Sequence, residues 1–270
     1  MSIKIGITGS TGSLGREIVK SKFGYNFSFF KGDIRNKKKI SEWIKSKKFN
    51  AIIHLAAIVP IKVVNNNKKK AHNINYVATK NIVDQVKKNK IEWFFFSSTS
   101  HVYSSKNCSI NEKTKTNPIS YYGKTKLLAE KYIIKQLEKS SSKYCIGRIF
   151  STTNKNQKTN YLVPDLKKKI KQSRKKIILY NLNHYRDFIS MSDISKIIFC
   201  LYKVKFKGVI NIATGRAVYL KDIAILICKH YKKKVEFIDN VKKTCLVANI
   251  DKLKKIYKKN LVKSLDKMIF

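Results

Sequence analysis

Ile3-Lys4-Ile5-Gly6-Ile7-Thr8-Gly9-Ser10-Thr11-Gly12-Ser13-Leu14-Gly15-Arg16-Glu17-Ile18-Val19-Lys20 is the stretch that decides the fold. Its first five residues read as a short buried strand, and from Arg16 onward the apolar residues fall at helical spacing. Between the two, glycines at 9, 12 and 15 permit a tight turn and a close approach of backbone to whatever lies opposite. A strand, a glycine turn and a helix start together present backbone N–H groups and the positive end of a helix dipole to an anion such as pyrophosphate.

The same alternation continues along the chain. Strand-like runs at Phe27–Phe30, Ala51–His54, Trp93–Ser97 and Tyr144–Phe150 alternate with helical stretches at Ser13–Lys22, Lys37–Lys47, Lys70–Lys88 and Tyr122–Lys139. This pattern predicts an α/β, Rossmann-type, doubly wound parallel sheet. After about residue 150 the character changes: Asn154-Lys155-Asn156-Gln157-Lys158-Thr159-Asn160 reads as a polar loop leading into a lysine-rich helix at Pro164–Lys171. We therefore expect a dinucleotide-binding domain over 1–150 and a small substrate-binding lobe drawn mainly from 151–270, with segments near 186–214, Val209–Ile212 among them, returning to the core.

Tyr122-Gly123-Lys124-Thr125-Lys126 opens one of those helices and sets a phenol and an ammonium four residues apart, on one helix face. A lysine so placed is expected to stabilise a phenolate and draw the tyrosine's pKa down towards neutrality, as a proton shuttle beside a carbonyl or alcohol requires.

Taken together, these motifs resemble the extended short-chain dehydrogenase/reductase family, the NAD-dependent nucleotide-sugar epimerases, dehydratases and reductases. Thr8 to Gly15 is similar to the family's Thr-Gly-x-x-Gly-x-x-Gly cofactor loop, and Gly32-Asp33-Ile34-Arg35 to its Gly-Asp-Ile-Arg segment. His54-Leu55-Ala56-Ala57 resembles the His-Leu-Ala-Ala strand end, and Asn75 stands at the asparagine of Asn-x-x-Gly/Ala-Thr. Ser97-Ser98-Thr99-Ser100-His101-Val102-Tyr103 matches Ser-Ser-[Ser/Thr]-x-x-Val-Tyr, and Pro118 to Lys126 matches Pro-x-Ser-x-Tyr-Gly-x-[Ser/Thr]-Lys. Arg186-Asp187-Phe188-Ile189 completes an ordered series along most of the chain.

The resemblance implies roles residue by residue. Tyr122 would be the general acid/base, Lys126 would hold the nicotinamide ribose, and Thr99 would hydrogen-bond the reacting sugar oxygen. The cofactor would lie against Gly9, Ser10, Thr11, Gly12, Ser13, Leu14 and Gly15, with Asp33 and Ile34 at the adenine. Leu55, Ala56, Ala57, Asn75, Ser97, Tyr122 and Lys126 would complete the cofactor site. Thr99, Tyr122, Ser151 and Arg186 would meet the substrate, the arginine gripping its diphosphate.

Departures from the family pattern narrow the reaction. Ser100 and His101 replace the Asp-Glu pair of the 4,6-dehydratases, which disfavours dehydration. Arg148-Ile149-Phe150-Ser151-Thr152 lacks the asparagine and proline of the epimerases' Arg-Tyr-Phe-Asn-Pro. The second strand ends in Phe30-Lys31 without an acid for a ribose 2′-hydroxyl, while Arg16, Lys31 and Arg35 lie near enough for a 2′-phosphate. The expected activity is NAD(P)-dependent reduction of a 4-keto (6-deoxy) nucleoside-diphosphate sugar, with NAD or NADP as cofactor and NADPH slightly favoured. A nucleotide-sugar 4-epimerase is the alternative, followed by a cofactor-sensing binding module.

Composition bounds the other classes. The 270 residues carry a formal charge of +43, yet only six arginines, and the lysines are spread through every helix and loop. Arginine is the residue favoured for bidentate phosphate and base contacts, so no specific nucleic-acid partner is expected. No apolar run approaches a membrane span, and the first strand begins at once, leaving no room for a signal peptide; a cytoplasmic protein with no membrane partner is expected, and a homodimer is compatible with it. Cysteines 108, 145, 200, 228 and 245 are scattered and the five histidines dispersed, so neither a disulfide framework nor a metal site is expected.

Overall fold

The structure, a computed structural model, describes residues 2–21, 23–59, 61–104, 109–153, 157, 161–261 and 265–270. The N-terminal part runs β1 (Lys4–Thr8), α1 (Ser13–Lys20), β2 (Asn26–Phe29), α2 (Lys37–Lys47) and β3 (Ala51–His54). A long crossover follows through α3 (Ile61–Asn66), α4 (Lys68–His72), a π-helical turn (Asn73–Val77) and α5 (Ala78–Lys88) into β4 (Trp93–Thr99). Then come α6 (Tyr121–Leu137) and β5 (Lys143–Ile149). The expected helix end at Lys22, and the polar loop 154–160 except Gln157, lie outside the described residues.

The C-terminal part contains β6 (Ser151–Thr152), α7 (Leu162–Gln172), β7 (Lys176–Tyr180), β8 (His184–Arg186), β9 (Phe188–Ile189), α8 (Met191–Lys203) and β10 (Gly208–Ile212). It ends with β11 (Val218–Tyr219), α9 (Leu220–His230), β12 (Lys234–Ile238), β13 (Thr244–Leu246), α10 (Asp251–Ile256) and α11 (Leu265–Ile269). Six strands form one sheet in the order β10-β5-β4-β3-β1-β2, and every pairing in it is parallel. The chain leaves β1 for β2 on one side and returns to β3 on the other. That reversal opens a crevice beyond the C-terminal ends of β1 and β3, the binding position in doubly wound sheets.

Strand alternation divides the core between the two faces. Ile53, Trp93 and Phe95 join Ile18 of α1 and Ile197 and Leu201 of α8 on one side. Ile52, Phe94 and Phe96 join Ile40 of α2, Ile82 and Val86 of α5 and Ile133 of α6 on the other. A third cluster, with Leu166, Ile170, Leu179, Ile223 and Ile227, holds α7, β7 and α9 together. Burying strands on both faces explains why they read as continuous apolar runs.

One polar brace crosses this interior. Glu130 of α6 and Arg148 of β5 are both buried and paired through Nε and Nη2, the shortest contact 2.7 Å. Ser98 donates to the same carboxylate, and Arg148 Nη1 donates to Tyr103 Oη at 2.7 Å, which in turn meets Asn211 Oδ1 of β10 at 2.9 Å. The pair therefore ties α6, β4, β5 and β10 into one register. Cys145, Cys200 and Cys228 are free, but Cys245 is disulfide-bonded, which corrects the expectation from cysteine spacing.

Removing one partner of a buried pair strands the other charge. Arg148→Met should lower the unfolding free energy by about 3–5 kcal/mol, measured by denaturant titration. A loss under about 1 kcal/mol would show the brace to be dispensable.

Candidate active site

A cleft of about 570 Å³ opens at the switch point. One wall is the turn after β1, where Gly9, Gly12, Ser13, Leu14 and Gly15 line it. A Cβ on Gly15 would run into the Gly9 carbonyl and would stand 2.6 Å from Ser10 Cα, and one on Gly9 would stand 2.6 Å from the Ala56 nitrogen. Gly9 also has φ of 76°, a region L residues avoid. Gly12 caps α1 without a side-chain hydrogen bond, so the first N–H groups of the helix are left to the cleft. These bare backbone donors at a helix start, with no side chain between them and the opening, suit a dinucleotide pyrophosphate.

Beneath that turn lies a buried polar chain. Thr8 Oγ1 meets His54 Nδ1 at 2.6 Å, His54 Nε2 meets Thr79 Oγ1 at 2.9 Å, and Thr79 donates to the Asn75 carbonyl at 2.9 Å. Because Thr79 spends its proton on that carbonyl, it accepts from His54 Nε2–H, and Nδ1 accepts from Thr8. Burial, reinforced by the Lys126 charge, drives the His54 pKa to about 3. The imidazole is thus a neutral strut under the glycine turn.

The opposite wall is built from β4 and α6. Ser120 caps α6 by accepting from Gly123 N at 3.1 Å, which fixes Tyr122 in the first turn and Lys126 one turn later. A Cβ on Gly123 would collide with the His101 carbonyl, so the helix start rests directly on the 3₁₀ turn Ser100–Val102. Ser97, Ser98, Thr99, His101 and Tyr122 line the cleft, and Thr99 Oγ1 accepts from His101 N at 3.2 Å. The His101 and Tyr122 rings meet edge to face with centroids 6.0 Å apart.

The electrostatics differ from the sequence expectation. The Tyr122 phenol is pushed up, first by burial, with Tyr161 adding to the effect and the Thr99 hydroxyl opposing it; Lys126 is not among the groups that lower it. Lys126 is itself buried, and desolvation brings its pKa down to about 7 despite the nearby Glu130 carboxylate. Its Nζ sits 4.0 Å above the Phe96 ring. Burial weakens the ammonium that was expected to act on the phenol.

Of the remaining expected residues, Leu55, Ala57, Ser151 and Arg186 line the cleft. Asp187 does not pair with Arg186: its carboxylate accepts from Thr214 N at 2.8 Å, Thr214 Oγ1 at 2.6 Å and Gly215 N at 2.8 Å. Among the described residues Arg186 has no carboxylate partner, and burial lowers its pKa. Ser10, Thr11, Ala56, Asn75, Lys126, Asp33 and Ile34 do not line the cleft. Asn75 is buried, and its amide is used on both backbone groups of Ile58, at 2.8 and 3.0 Å, and on Thr125 Oγ1 at 3.3 Å. It ties the segment after β3 to the start of α6. Asp33 is bound by Arg35 through Nε at 2.9 Å and 3.0 Å, and that guanidinium holds its carboxyl down to about 2. Arg35 is therefore not the free cation expected, and Arg16 Nη1 likewise donates to the Thr11 carbonyl at 2.5 Å.

No group of His, Cys, Asp and Glu among the described residues is arranged to hold a metal, and no described helix is long and apolar enough to cross a membrane.

The fold and this cleft define a dinucleotide-dependent oxidoreductase-type protein, and comparison with known proteins places it further. Residues 7–266 match the family model described as GDP-mannose 4,6 dehydratase; the chain belongs to this family, within the NAD-dependent epimerase/dehydratases of the extended short-chain dehydrogenase/reductase type. The chain is similar to GDP-6-deoxy-D-talose 4-dehydrogenase of Aggregatibacter actinomycetemcomitans, 26% identical over 250 residues, covering 88% of this chain and 83% of that one. It is 30% identical over 132 residues to a bifunctional UDP-glucose and UDP-xylose 4-epimerase of Pisum sativum; that match spans 48% of this chain and only 37% of the pea enzyme. Among solved structures, RMD from Pseudomonas aeruginosa complexed with NADPH superposes with a TM-score of 0.87 at 15% identity, covering 99% of this chain and 96% of the other. UDP-glucose 4-epimerase of Thermus thermophilus with NAD gives 0.86 at 16% identity, covering 98% and 96%.

The neutral His54 makes a pH prediction. In the unfolded chain the imidazole takes a proton near 6.5, in the fold only near 3, so between these values the unfolded state binds the extra proton. Stability is then complete above about 6.5 and falls as the pH drops towards 3, by up to about 1.4 kcal/mol per pH unit. His54→Gln should flatten this slope between pH 6.5 and 5 in thermal or urea unfolding; an unchanged slope would contradict the assignment.

Proposed function

We propose that this protein reduces the 4-keto group of a (6-deoxy) nucleoside-diphosphate sugar. The observation that carries the reading is the sharing of one cleft by Tyr122, Thr99 and Arg186, which has no carboxylate partner among the described residues, facing the bare glycine turn. A nicotinamide dinucleotide bound on that turn would supply the hydride. The chain's own groups do the rest. Arg186 holds the diphosphate, and Thr99, its hydroxyl already accepting from His101 N, turns its proton to the sugar oxygen. Tyr122, kept protonated by burial, delivers its proton to the oxygen as charge develops there. Burial keeps the phenol protonated at neutral pH, so its proton is available to the oxygen in the reducing direction.

A relative named for 4-dehydrogenation of GDP-6-deoxy-D-talose, the reverse of a 4-keto reduction, supports this choice over most of the chain. The second reading, a 4-epimerase, draws on the partial match to the pea enzyme and uses the same residues with a retained cofactor. Dehydration is disfavoured, since an imidazole stands at His101 and burial together with Arg186 keeps it neutral. The partner is a nucleoside-diphosphate sugar, not a specific nucleic acid, and the catalytic residues are Thr99, Tyr122 and Lys126. On this reading the nucleotide domain is 1–150.

Tyr122→Phe should leave dinucleotide binding nearly intact and cut turnover roughly 100-fold or more, as steady-state kinetics would show; unchanged turnover would remove Tyr122 from the chemistry. Mass spectrometry of the purified protein separates the two readings, because a tightly retained NAD favours the epimerase and a site that exchanges its cofactor favours the reductase.

For the cofactor we propose that NADPH is accepted at least as well as NADH. A 2′-phosphate must draw Arg35 from Asp33 or Arg16 from Thr11, which offsets part of a charge-assisted contact and limits the preference to roughly tenfold or less. Arg16→Ala or Arg35→Ala should erode it in parallel titrations, and a clear preference for NADH would overturn it.

A further inference from the structure

Strand β8 places His184 and Arg186 on one face and Tyr185 on the other, where Tyr185 stacks on Tyr219 at 4.9 Å. Parallel pairing with β13 sets Thr244 opposite His184. Thr244 thereby reaches both residues of that face. Arg186 Nη1 donates to Thr244 Oγ1 at 3.0 Å and to the Tyr185 carbonyl at 2.7 Å. Thr244 Oγ1 lies 3.0 Å from His184 Nδ1, and Thr244 N donates to the same nitrogen at 3.2 Å.

The donors and acceptors fix each proton. A guanidinium only donates, so Thr244 Oγ1 must accept from it and send its own proton elsewhere. The nearest acceptor is His184 Nδ1, which also takes the Thr244 amide, so the ring is neutral with its proton on Nε2. Desolvation, with the Arg186 charge, favours that neutral form against the weaker pull of Asp239, which is itself paired with Lys221. Only Nη1 of Arg186 is used in this way; no partner for its Nε or Nη2 is found among the described residues, and the residue lines the cleft. An arginine free in solution loses rotamer entropy when fixed, so a side chain held by one nitrogen in advance offers the other two at lower cost.

We propose that Thr244 and His184 are positioning residues that aim Arg186 at the diphosphate of the substrate. This rests on the nucleotide-sugar reading above and adds to it two residues outside every motif in the sequence. UDP and GDP serve as probes in calorimetric titrations, with KM and kcat measured alongside. Thr244→Val and His184→Ala should each weaken nucleoside-diphosphate binding and raise KM roughly tenfold, the worth of one such hydrogen bond, while leaving kcat and NAD(P) binding unchanged. Thr244→Ser keeps the hydroxyl and His184→Asn keeps an acceptor at the Nδ1 position, so both should stay within about threefold of wild type. Equal binding by the Val and Ala variants, or equal losses in the Ser and Asn variants, would overturn the positioning role. Failure of the wild-type protein to bind either UDP or GDP would instead overturn the nucleotide-sugar reading on which it rests.

Discussion

The cleft depends on two places where backbone touches backbone with no side chain between. Gly15 lies against Gly9 and Ser10, which brings the start of α1 onto the turn after β1; Gly123 lies against the His101 carbonyl, which seats the start of α6 on the turn after β4. In each case a single methyl group would occupy space already filled. These contacts set the spacing between the bare N–H groups on one wall and Tyr122 on the other, and everything else in the site is arranged around that gap. The supports behind the walls are polar and buried: the Thr8-His54-Thr79 chain under the first, and Glu130-Arg148 with Ser98 under the second. Each is fully paired, so burial costs little and orientation is kept.

Burial also sets the protonation states. It raises Tyr122, lowers Lys126 to about 7 and drives His54 to about 3, so the interior behind the cleft is close to neutral although the whole chain carries a formal +43. The excess lysine is kept outside; the cations admitted to the interior are few and each has a task. Arg148 is neutralised by Glu130. Arg186 is not neutralised by any carboxylate described, and it faces the cleft where an anionic substrate would arrive. A diffuse positive surface attracts such an anion from solution, but only a fixed guanidinium determines where it stops.

Much of this was legible in sequence because it rests on local pattern. The six-stranded sheet, its helices and the glycine turn follow from apolar runs and punctuation. What escaped depends on contacts distant in sequence. Asn75 sits within a family motif, yet its amide is committed to Ile58 and Thr125. Arg35 reads as a free cation until Asp33 is seen to hold it. Lys126 is on the right helix face, but desolvation, which no spacing reports, removes much of its pull on Tyr122. Thr244 and His184 belong to no motif, and only the β8–β13 pairing joins them to Arg186.

The central claim is that this cleft directs hydride to C4 of a nucleotide-bound sugar while Tyr122 protonates the oxygen. It is tested most directly by incubating the protein with a 4-keto-6-deoxy nucleoside-diphosphate sugar and NADPH carrying deuterium at the transferable position of C4. The account predicts net oxidation of the cofactor and one deuterium at C4 of the product sugar. Recovery of unlabelled sugar with the cofactor unchanged, from protein that binds both ligands, would contradict it.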